Sequence, residues 1–237
     1  MPGPPSNFAD RRALELRAVC IVLAGKVLVP ETSLTISPGE VLTIMGPSGS
    51  GKSSLLSFIC GTLSPAFDAR GQVILDGRDI TGHPVEKRQV GILFQDDLLF
   101  PHMSVGENLL FALPRSAGNR KERRNLMRRA LAEAELAGYE DTDPATLSGG
   151  QRARVALMRT LLSRPKAILL DEPFSKLDAD MRENIRSFVF RHVVERGVPT
   201  LMVTHDAADA RAAGGRVIHI GDSANGLVPV ICRPDAA

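Results

Sequence analysis

The chain has 237 residues, of which 29 are basic and 27 acidic, giving a net charge of +2. This length suits one large domain or a core with an inserted subdomain, and the balanced charge argues against nucleic acid as a partner. Three scattered cysteines without a C-x-x-C pair, Cys20, Cys60 and Cys232, indicate a reduced, cytosolic protein. Because no run approaches about 18 apolar residues, any membrane span must come from other chains.

The elements are predicted to begin after a Pro-rich segment, residues 1–12, which is expected to be a flexible tail. Short apolar runs predict strands at Leu14–Val19, Val27–Ile36, Val41–Met45, Val73–Leu75, Val90–Phe94, Ala167–Leu170 and Thr200–Thr204. Helices are predicted at Ser54–Gly61, Val105–Leu113, Lys121–Ala137, Gly150–Leu162 and Asp178–Arg196. Val217–Ile220 and Leu227–Ile231 are predicted as a last pair of strands, for which an antiparallel pairing is considered.

The order of these elements predicts an α/β fold. Apolar strands that alternate with helices indicate a parallel sheet covered on both faces. Only helical patterns occur between Ser104 and about Arg164, so a helical subdomain, about residues 98–164, is expected to interrupt the α/β core. The predicted organisation is a tail at 1–12, one domain at 13–221, and a short C-terminal strand and tail at 222–237.

The stretch Gly46–Ser53 matches the phosphate-binding loop, G-x-x-x-x-G-K-[ST], in full. It stands between a predicted strand and a predicted helix, as the motif requires. Glycines let backbone N–H groups turn inward around phosphates, and the following helix directs its positive end at the same anion. Lys52 adds a charge near the β- and γ-phosphates, and Ser53 offers a hydroxyl to Mg²⁺. A chance Gly/Ser turn is disfavoured because motif and context agree.

Two adjacent carboxylates, Asp171 and Glu172, follow the predicted strand Ala167–Leu170. Ligands of open α/β sheets bind at the carboxyl ends of the strands. Asp171 suits the surroundings of Mg²⁺, which keeps several waters and uses few carboxylates, and Glu172 can polarise an attacking water. An acidic helix N-cap is the alternative, but a phosphate loop upstream favours the nucleotide interpretation.

A second anion cradle, Leu147-Ser148-Gly149-Gly150-Gln151, stands at a helix start. This segment resembles the signature of ATP-binding cassette (ABC) proteins. Further segments resemble the same family, over about Leu14 to Ile220: they are Gln95 after a strand, Ser175-Lys176-Leu177-Asp178, and Thr204-His205-Asp206. The stretch Phe100–Val105 with Glu107-Asn108-Leu109 is similar to importer ATPases of the thiamine, iron, sulfate and polyamine group.

The resemblance implies a P-loop NTPase (RecA-like) core with an N-terminal antiparallel β portion and an inserted helical subdomain. It implies ATP and Mg²⁺ as cofactors, with Ser53, Gln95 and Asp171 at the metal. Glu172 would be the general base, His205 would contact the γ-phosphate, and Lys52 and Gln95 would complete the catalytic set. The residues implied for nucleotide binding are Gly46, Pro47, Ser48, Gly49, Ser50, Gly51, Lys52, Ser53, Ser54, Ser148, Gly149, Gly150, Gln151 and Asp178.

The same resemblance implies an assembly. Ser148, Gly149 and Gly150 would reach ATP held by a second, facing subunit, so a head-to-tail homodimer is expected. Integral membrane permease subunits and a solute-binding protein are the further expected partners, at the cytoplasmic face of the inner membrane, with no nucleic acid. The alternative is a soluble ABC ATPase acting on DNA or the ribosome. A non-catalytic nucleotide-binding module would need a damaged base or lysine, whereas Lys52 and Glu172 are both present.

One departure concerns the adenine. The family usually stacks this base on an aromatic residue ahead of the phosphate loop, but Arg17–Lys26 contains none and Leu23 stands at about that position. Weak discrimination between ATP and GTP is therefore expected, unless Phe8 or a residue of the partner subunit covers the base. The basic run Arg115–Arg129 is interpreted as a solvated helix face, with a surface for anionic lipid or an acidic partner as the alternative. Phe94, Phe100 and Met103 fit either a docking patch or the core.

Overall fold

A computed structural model of the chain describes residues 13–220, with the side chains of residues 179 and 180 excepted. The predicted tail at 1–12, the predicted strand Leu227–Ile231, Phe8 and Cys232 lie outside the described residues. Across residues 13–220, no helix combines the length and the apolar composition that crossing a membrane requires.

An antiparallel sheet opens the fold, with the strand order β2-β1-β4-β5. Its strands are β1 (Leu14–Leu23), β2 (Lys26–Ile36), β4 (Phe67–Leu75) and β5 (Arg78–Asp79). A two-residue turn joins β1 to β2, and both of its residues, Ala24 and Gly25, are left-handed (φ 49° and 78°), as a tight hairpin turn requires. Gly71 lies opposite an irregularity in β1, where an added Cβ would come within 2.5 Å of the Val19 Cα.

A parallel sheet forms the centre, with the strand order β6-β7-β8-β3-β9. Its strands are β3 (Val41–Met45), β6 (Val90–Leu93), β7 (Ala167–Asp171), β8 (Thr200–Thr204) and β9 (Val217–His219). All of their pairings are parallel. β9 runs parallel to β3, with Thr43 opposite Val217. The antiparallel pairing considered between Val217–Ile220 and Leu227–Ile231 stays a prediction, because the second segment lies outside the described residues.

The helices are α1 (Lys52–Cys60), α2 (Val105–Ala112), α3 (Arg120–Glu133), α4 (Gly149–Leu162), α5 (Ala179–Glu195) and α6 (Ala207–Ala213). Between β6 and β7 the regular structure is helical, and α2, α3 and α4 pack on one another there. α3 ends earlier than the predicted Lys121–Ala137, since Glu135 adopts a left-handed backbone (φ 60°) that cannot continue a helix.

Two apolar cores share the parallel sheet. Along β7, Ile168 and Leu170 belong to the cluster that holds α2–α5, while Ala167 and Leu169 belong to the cluster that holds α1 and the antiparallel sheet. This alternation follows from the two-residue period of a strand. With both faces of the sheet covered, the carboxyl ends of the strands are the edge where polar residues gather.

Candidate ATP site

The phosphate loop leaves the end of β3 and enters α1. Gly49 and Gly51 are left-handed (φ 79° and 88°), and Gly51 is the N-cap of α1 without any side chain to satisfy the first-turn amides. A Cβ on Gly51 would lie 2.9 Å from the Leu28 carbonyl oxygen of β2, so only glycine fits there. The amides at the start of α1 are therefore left for an anionic ligand.

Lys52 is held within the loop that it serves. Its Nζ donates to the carbonyl oxygens of Gly46 and Pro47 at 2.7 and 2.8 Å, and the residue is 6% exposed. Ser50 Oγ is buried without a hydrogen-bond partner among the described residues. A buried cation and an unsatisfied hydroxyl in one loop fit a polyphosphate group, whose oxygens can accept from both.

Ser53 and Asp171 meet at the corner of the site where the metal was predicted. Ser53 Oγ donates to Asp171 Oδ1 at 3.2 Å across the gap between α1 and β7. Burial raises the pKa of Asp171, and the adjacent Glu172 carboxylate raises it further, while Ser53 and Lys52 oppose this. Hydroxyl and carboxylate oxygens are the donors that Mg²⁺ prefers, and a buried carboxylate next to another favours a nearby cation. The residues present therefore fit the metal.

Glu172 stands where β7 ends. Its backbone is left-handed (φ 47°), which is uncommon for a residue with a side chain. The Glu172 amide donates to the Val203 carbonyl of β8 at 3.0 Å, and its own carbonyl accepts from the Ser175 hydroxyl at 2.8 Å. Its Oε2 lies 3.2 Å from Nδ1 of His205, which follows β8. Strained backbone held by its surroundings is typical of functional positions.

Gln95 lies two residues beyond β6 and is exposed. It lines a cavity of about 330 Å³ together with Gly149, Arg152, Pro173, Lys176 and Leu177. The segment that carries Gln95 is tied to α4, because Arg152 Nε contacts Asp97 Oδ2 at 3.3 Å and Arg159 donates to the Leu98 carbonyl at 2.7 Å. No hydrogen bond of residues 13–220 joins Gln95 to Ser53 or Asp171, so its predicted place at the metal stays a prediction.

The signature segment begins α4. Ser148 is the N-cap: its Oγ accepts from the Gln151 amide at 3.2 Å, and Gln151 Oε1 accepts from the Ser148 amide at 2.9 Å, which is a capping box. The Gly150 amide donates to Met181 Sδ of α5 at 3.2 Å. Within the described part of the chain, none of these groups bonds to the phosphate loop. Asp178 caps α5 by accepting from the Met181 amide at 3.0 Å.

The structure also places residues near His205 that the sequence did not single out as functional. Arg182 and Arg186 of α5 both contact Asp206, the residue after His205. In the sequence, only their spacing of four residues, which puts both on one helix face, indicated that the two arginines act together. Their carboxylate partners lie about 20 residues away, beyond β8, so only the fold could identify them.

The strand–loop–helix geometry, the acidic strand end and the parallel sheet define a phosphate-loop nucleotide-binding protein. The family model described as "ABC transporter" matches residues 29–175. The chain belongs to the ABC transporter family. This confirms the predicted family, the predicted fold class and the predicted activity class, an ATPase.

Relatives and a solved structure agree with this assignment. The uncharacterized ABC transporter ATP-binding protein YnjD of Escherichia coli K12 is 48% identical over 83% of this chain and 90% of its own length. The Fe(3+) ions import ATP-binding protein FbpC of Escherichia coli O157:H7 is 36% identical over 89% of this chain, and the spermidine/putrescine import ATP-binding protein PotA of Nitrosomonas eutropha is 40% identical over 86%. The chain spans 60% and 55% of the length of these two import proteins.

The solved structure is a dimeric post-hydrolysis state of the ATP-binding cassette MJ0796 bound to ADP and Pi. It is similar to this chain with a TM-score of 0.73 and 32% sequence identity, over 88% of this chain and 94% of that one.

Proposed function

We propose that this chain is the ATP-hydrolysing subunit of an ABC importer, working as a dimer beneath separate membrane permease subunits. The observation that carries the chemistry is the pair formed by Glu172 and His205, 3.2 Å apart at the strand edge that also bears the phosphate loop. The import direction rests on the relatives, several of which are named as import proteins.

Within one subunit, the loop amides and Lys52 would bind the phosphates of ATP, and Ser53 and Asp171, which contact each other, would hold Mg²⁺. The metal would neutralise phosphate charge as the terminal phosphoryl group leaves. Glu172 would accept the proton of the attacking water. His205 contacts Glu172 and is exposed on its other side, where it would meet the γ-phosphate. Gln95, exposed just beyond β6, is the third residue that would hold the metal.

Two subunits are needed because Ser148 and Gly150 make their contacts within α4 and with α5, away from the phosphate loop of their own chain. A head-to-tail partner would bring the start of its α4, with its positive helix end, to the γ-phosphate. ATP then stabilises the closed dimer, and hydrolysis opens it. The dimeric state of the similar solved structure supports this arrangement.

The permease is proposed to dock beside the cavity at Gln95. Exposed apolar side chains surround this side of the helical block, with Leu98 55% and Phe111 64% exposed. The Phe111 ring packs edge-to-face on Phe100 at 5.1 Å, which holds it outward. Since the same segment is tied to α4 through Asp97 and Leu98, movement of the dimer would reach the permease directly. A solute-binding protein on the far side of the membrane completes the proposed importer.

The test uses Glu172→Gln, which keeps the shape of the side chain and removes the base. Hydrolysis should fall about 10²–10⁴-fold, while ATP binding persists and a dimer accumulates. Size-exclusion chromatography with and without ATP measures this. Glu183→Gln on the outer part of α5 is the matched control and should behave like wild type. A Glu172→Gln chain that hydrolyses normally, or that binds ATP and stays monomeric, contradicts the proposal.

A further inference from the structure

His205 has little of its own to hold it in place. Its side chain is 59% exposed, and among the described residues its polar partner is Glu172. The ring therefore depends on its backbone for position. That backbone is fixed on both sides: Thr204 is 1% exposed, and the Asp206 amide donates to Thr204 Oγ1 at 3.0 Å.

The residues that fix this backbone come from α5. Asp206 Oδ2 accepts from Arg182 Nη1 at 3.0 Å and from Arg186 Nη2 at 3.2 Å. Arg186 also pairs with Asp209, which is 3% exposed and accepts from Thr204 Oγ1 at 2.9 Å. Two arginines thus meet two carboxylates immediately after His205, in a partly buried network that balances its charges.

The same two arginines also grip the segment that follows Glu172. Arg182 Nη2 donates to the Leu177 carbonyl at 2.9 Å, and the Arg186 guanidinium lies 6.0 Å from the centre of the buried Phe174 ring. Each arginine therefore contacts both chain segments that carry the catalytic pair. One segment leads away from Glu172 and the other leads away from His205.

We infer that Arg182, Arg186 and Asp206 are positioning residues that set the separation of Glu172 and His205, and that Asp206 acts on hydrolysis through His205. This inference rests on the proposed function of that pair. A misplacement of about 1 Å can cost about 10²-fold in rate, so loosening this clamp should lower kcat about 10- to 100-fold. The KM for ATP should stay nearly constant, because none of the three residues contacts the phosphate loop in the described structure.

The main variant is Asp206→Asn, which keeps the shape of the residue and its cap on α6 while removing the charge that both arginines use. Arg182→Met is a second, independent variant for the case in which the first fails to fold. Asp143→Asn is the matched control. Asp143 Oδ1 accepts from the Ala145 amide at 2.8 Å, much as Asp206 Oδ1 accepts from the Ala208 amide at 2.7 Å, and no ion pair of residues 13–220 involves Asp143.

The decisive measurement is a double-mutant cycle with His205→Ala, followed by single-turnover release of labelled γ-phosphate. Asp206→Asn should lower kcat in the wild-type background and change it less than about twofold in the His205→Ala background, because the residue it positions is gone. An equal loss in both backgrounds, a raised KM with unchanged kcat, or no loss at all overturns the inference. If Asp206→Asn has no effect while His205→Ala slows hydrolysis, only the clamp is wrong. If His205→Ala hydrolyses like wild type, the proposed role of the catalytic pair fails as well.

Discussion

The phosphate-loop edge and the signature end of α4 are both anion cradles, but they are built differently. The first lies on buried strands, and its residues reach one another: Ser53 contacts Asp171, and Glu172 contacts His205. The second stands at an exposed helix start, and Ser148 bonds within its own helix. A chain that completes one cradle and presents another outward carries two half-sites. This difference supports the proposal that the unit of catalysis is a pair of chains, with each site shared between them.

The most direct test of shared sites is to inactivate the phosphate-loop half-site in one chain and the signature half-site in another. Glu172→Gln and Ser148→Glu should each be nearly inactive as homodimers, the second because a carboxylate repels the partner's phosphate. Mixing them restores one intact site per heterodimer. Random pairing should therefore recover about a quarter of the wild-type rate, measured as phosphate release after mixing. Recovery that fails at every mixing ratio would mean that both half-sites serve the same chain, or that one site cannot turn over alone.

A second prediction isolates the strand-edge cradle. Lys52→Ala removes a charge-assisted hydrogen bond worth about 1.5–3 kcal/mol, so ATP affinity should fall roughly 10- to 150-fold. Adenosine affinity should hardly change, since the lost group faces phosphates. Calorimetric titration of both ligands measures the contrast. The control is Lys166→Ala, which removes a lysine that pairs with Asp76 at 2.8 Å, away from the loop. Equal ATP affinities for wild type and Lys52→Ala would contradict the role of the loop in binding phosphate.

A third prediction concerns the adenine base, since both cradles are expected to act on phosphates. Leu23 ends β1 and stands opposite Phe67 of β4 in the antiparallel register. An apolar contact without hydrogen bonds to the base edge should discriminate ATP from GTP by less than about 10-fold. Leu23→Tyr should tighten ATP binding about 5- to 150-fold through stacking, which is worth about 1–3 kcal/mol per base in nucleic-acid complexes. Comparing kcat/KM for the two nucleotides tests the expectation.

Two controls separate the sources of an aromatic contact to the base. Phe67→Leu removes the ring opposite Leu23, and deletion of residues 1–10 removes Phe8. Strong ATP preference that disappears on deletion would assign the base contact to the N-terminal segment, and strong preference that disappears in Phe67→Leu would assign it to β4.

The smallest expected effect is a pH dependence of stability at the edge of the first cradle. The Ala208 amide, with Arg186 and Arg182 of α5, holds the pKa of Asp206 below its usual range, while Asp209 of α6 and His205 are its other charged or titratable neighbours. A lowered pKa in the folded state means that the stabilisation is complete above the unfolded pKa of about 3.9 and is lost as the pH falls through the folded value.

Urea unfolding at pH 7 and pH 3 measures this dependence. Wild type should exceed Asp206→Asn by at most about 1 kcal/mol at pH 7, because the carboxylate is partly exposed, and the gap should shrink at pH 3. A gap that stays constant, or that widens toward pH 3, would show that the charge of Asp206 does not stabilise the fold.

Much of the structure around the phosphate loop could be predicted from the local sequence pattern. The strand Val41–Met45 is observed with its predicted bounds, because a continuous apolar run is bounded by a Pro-Gly turn and a glycine-rich loop. α6 was not predicted, since seven residues with an Asp cap carry too little periodicity. The parallel ladder between Val217–His219 and β3 was not predicted, because the neighbour of a strand at a sheet edge depends on the tertiary fold.

For the site, the motif residues Lys52, Ser53, Asp171 and Glu172 could be named from spacing, because their chemistry dictates fixed local sequences. Arg182 and Arg186 of α5 could not be identified in this way. An arginine on a helix face has many candidate carboxylates along a chain, and only packing chooses Asp206 and Asp209 among them.

The left-handed backbone of Glu172 lowers the stability of the fold at a residue that the proposed ATP hydrolysis requires. A side chain at φ 47° costs of order 1–3 kcal/mol, and glycine at this position would avoid that cost while removing the base. Laboratory selection of variants for thermal stability alone should therefore favour Glu172→Gly, and the selected variants should lose ATP hydrolysis. The backbone at Glu172 therefore gives up stability in order to place a carboxylate where the proposed mechanism needs a base.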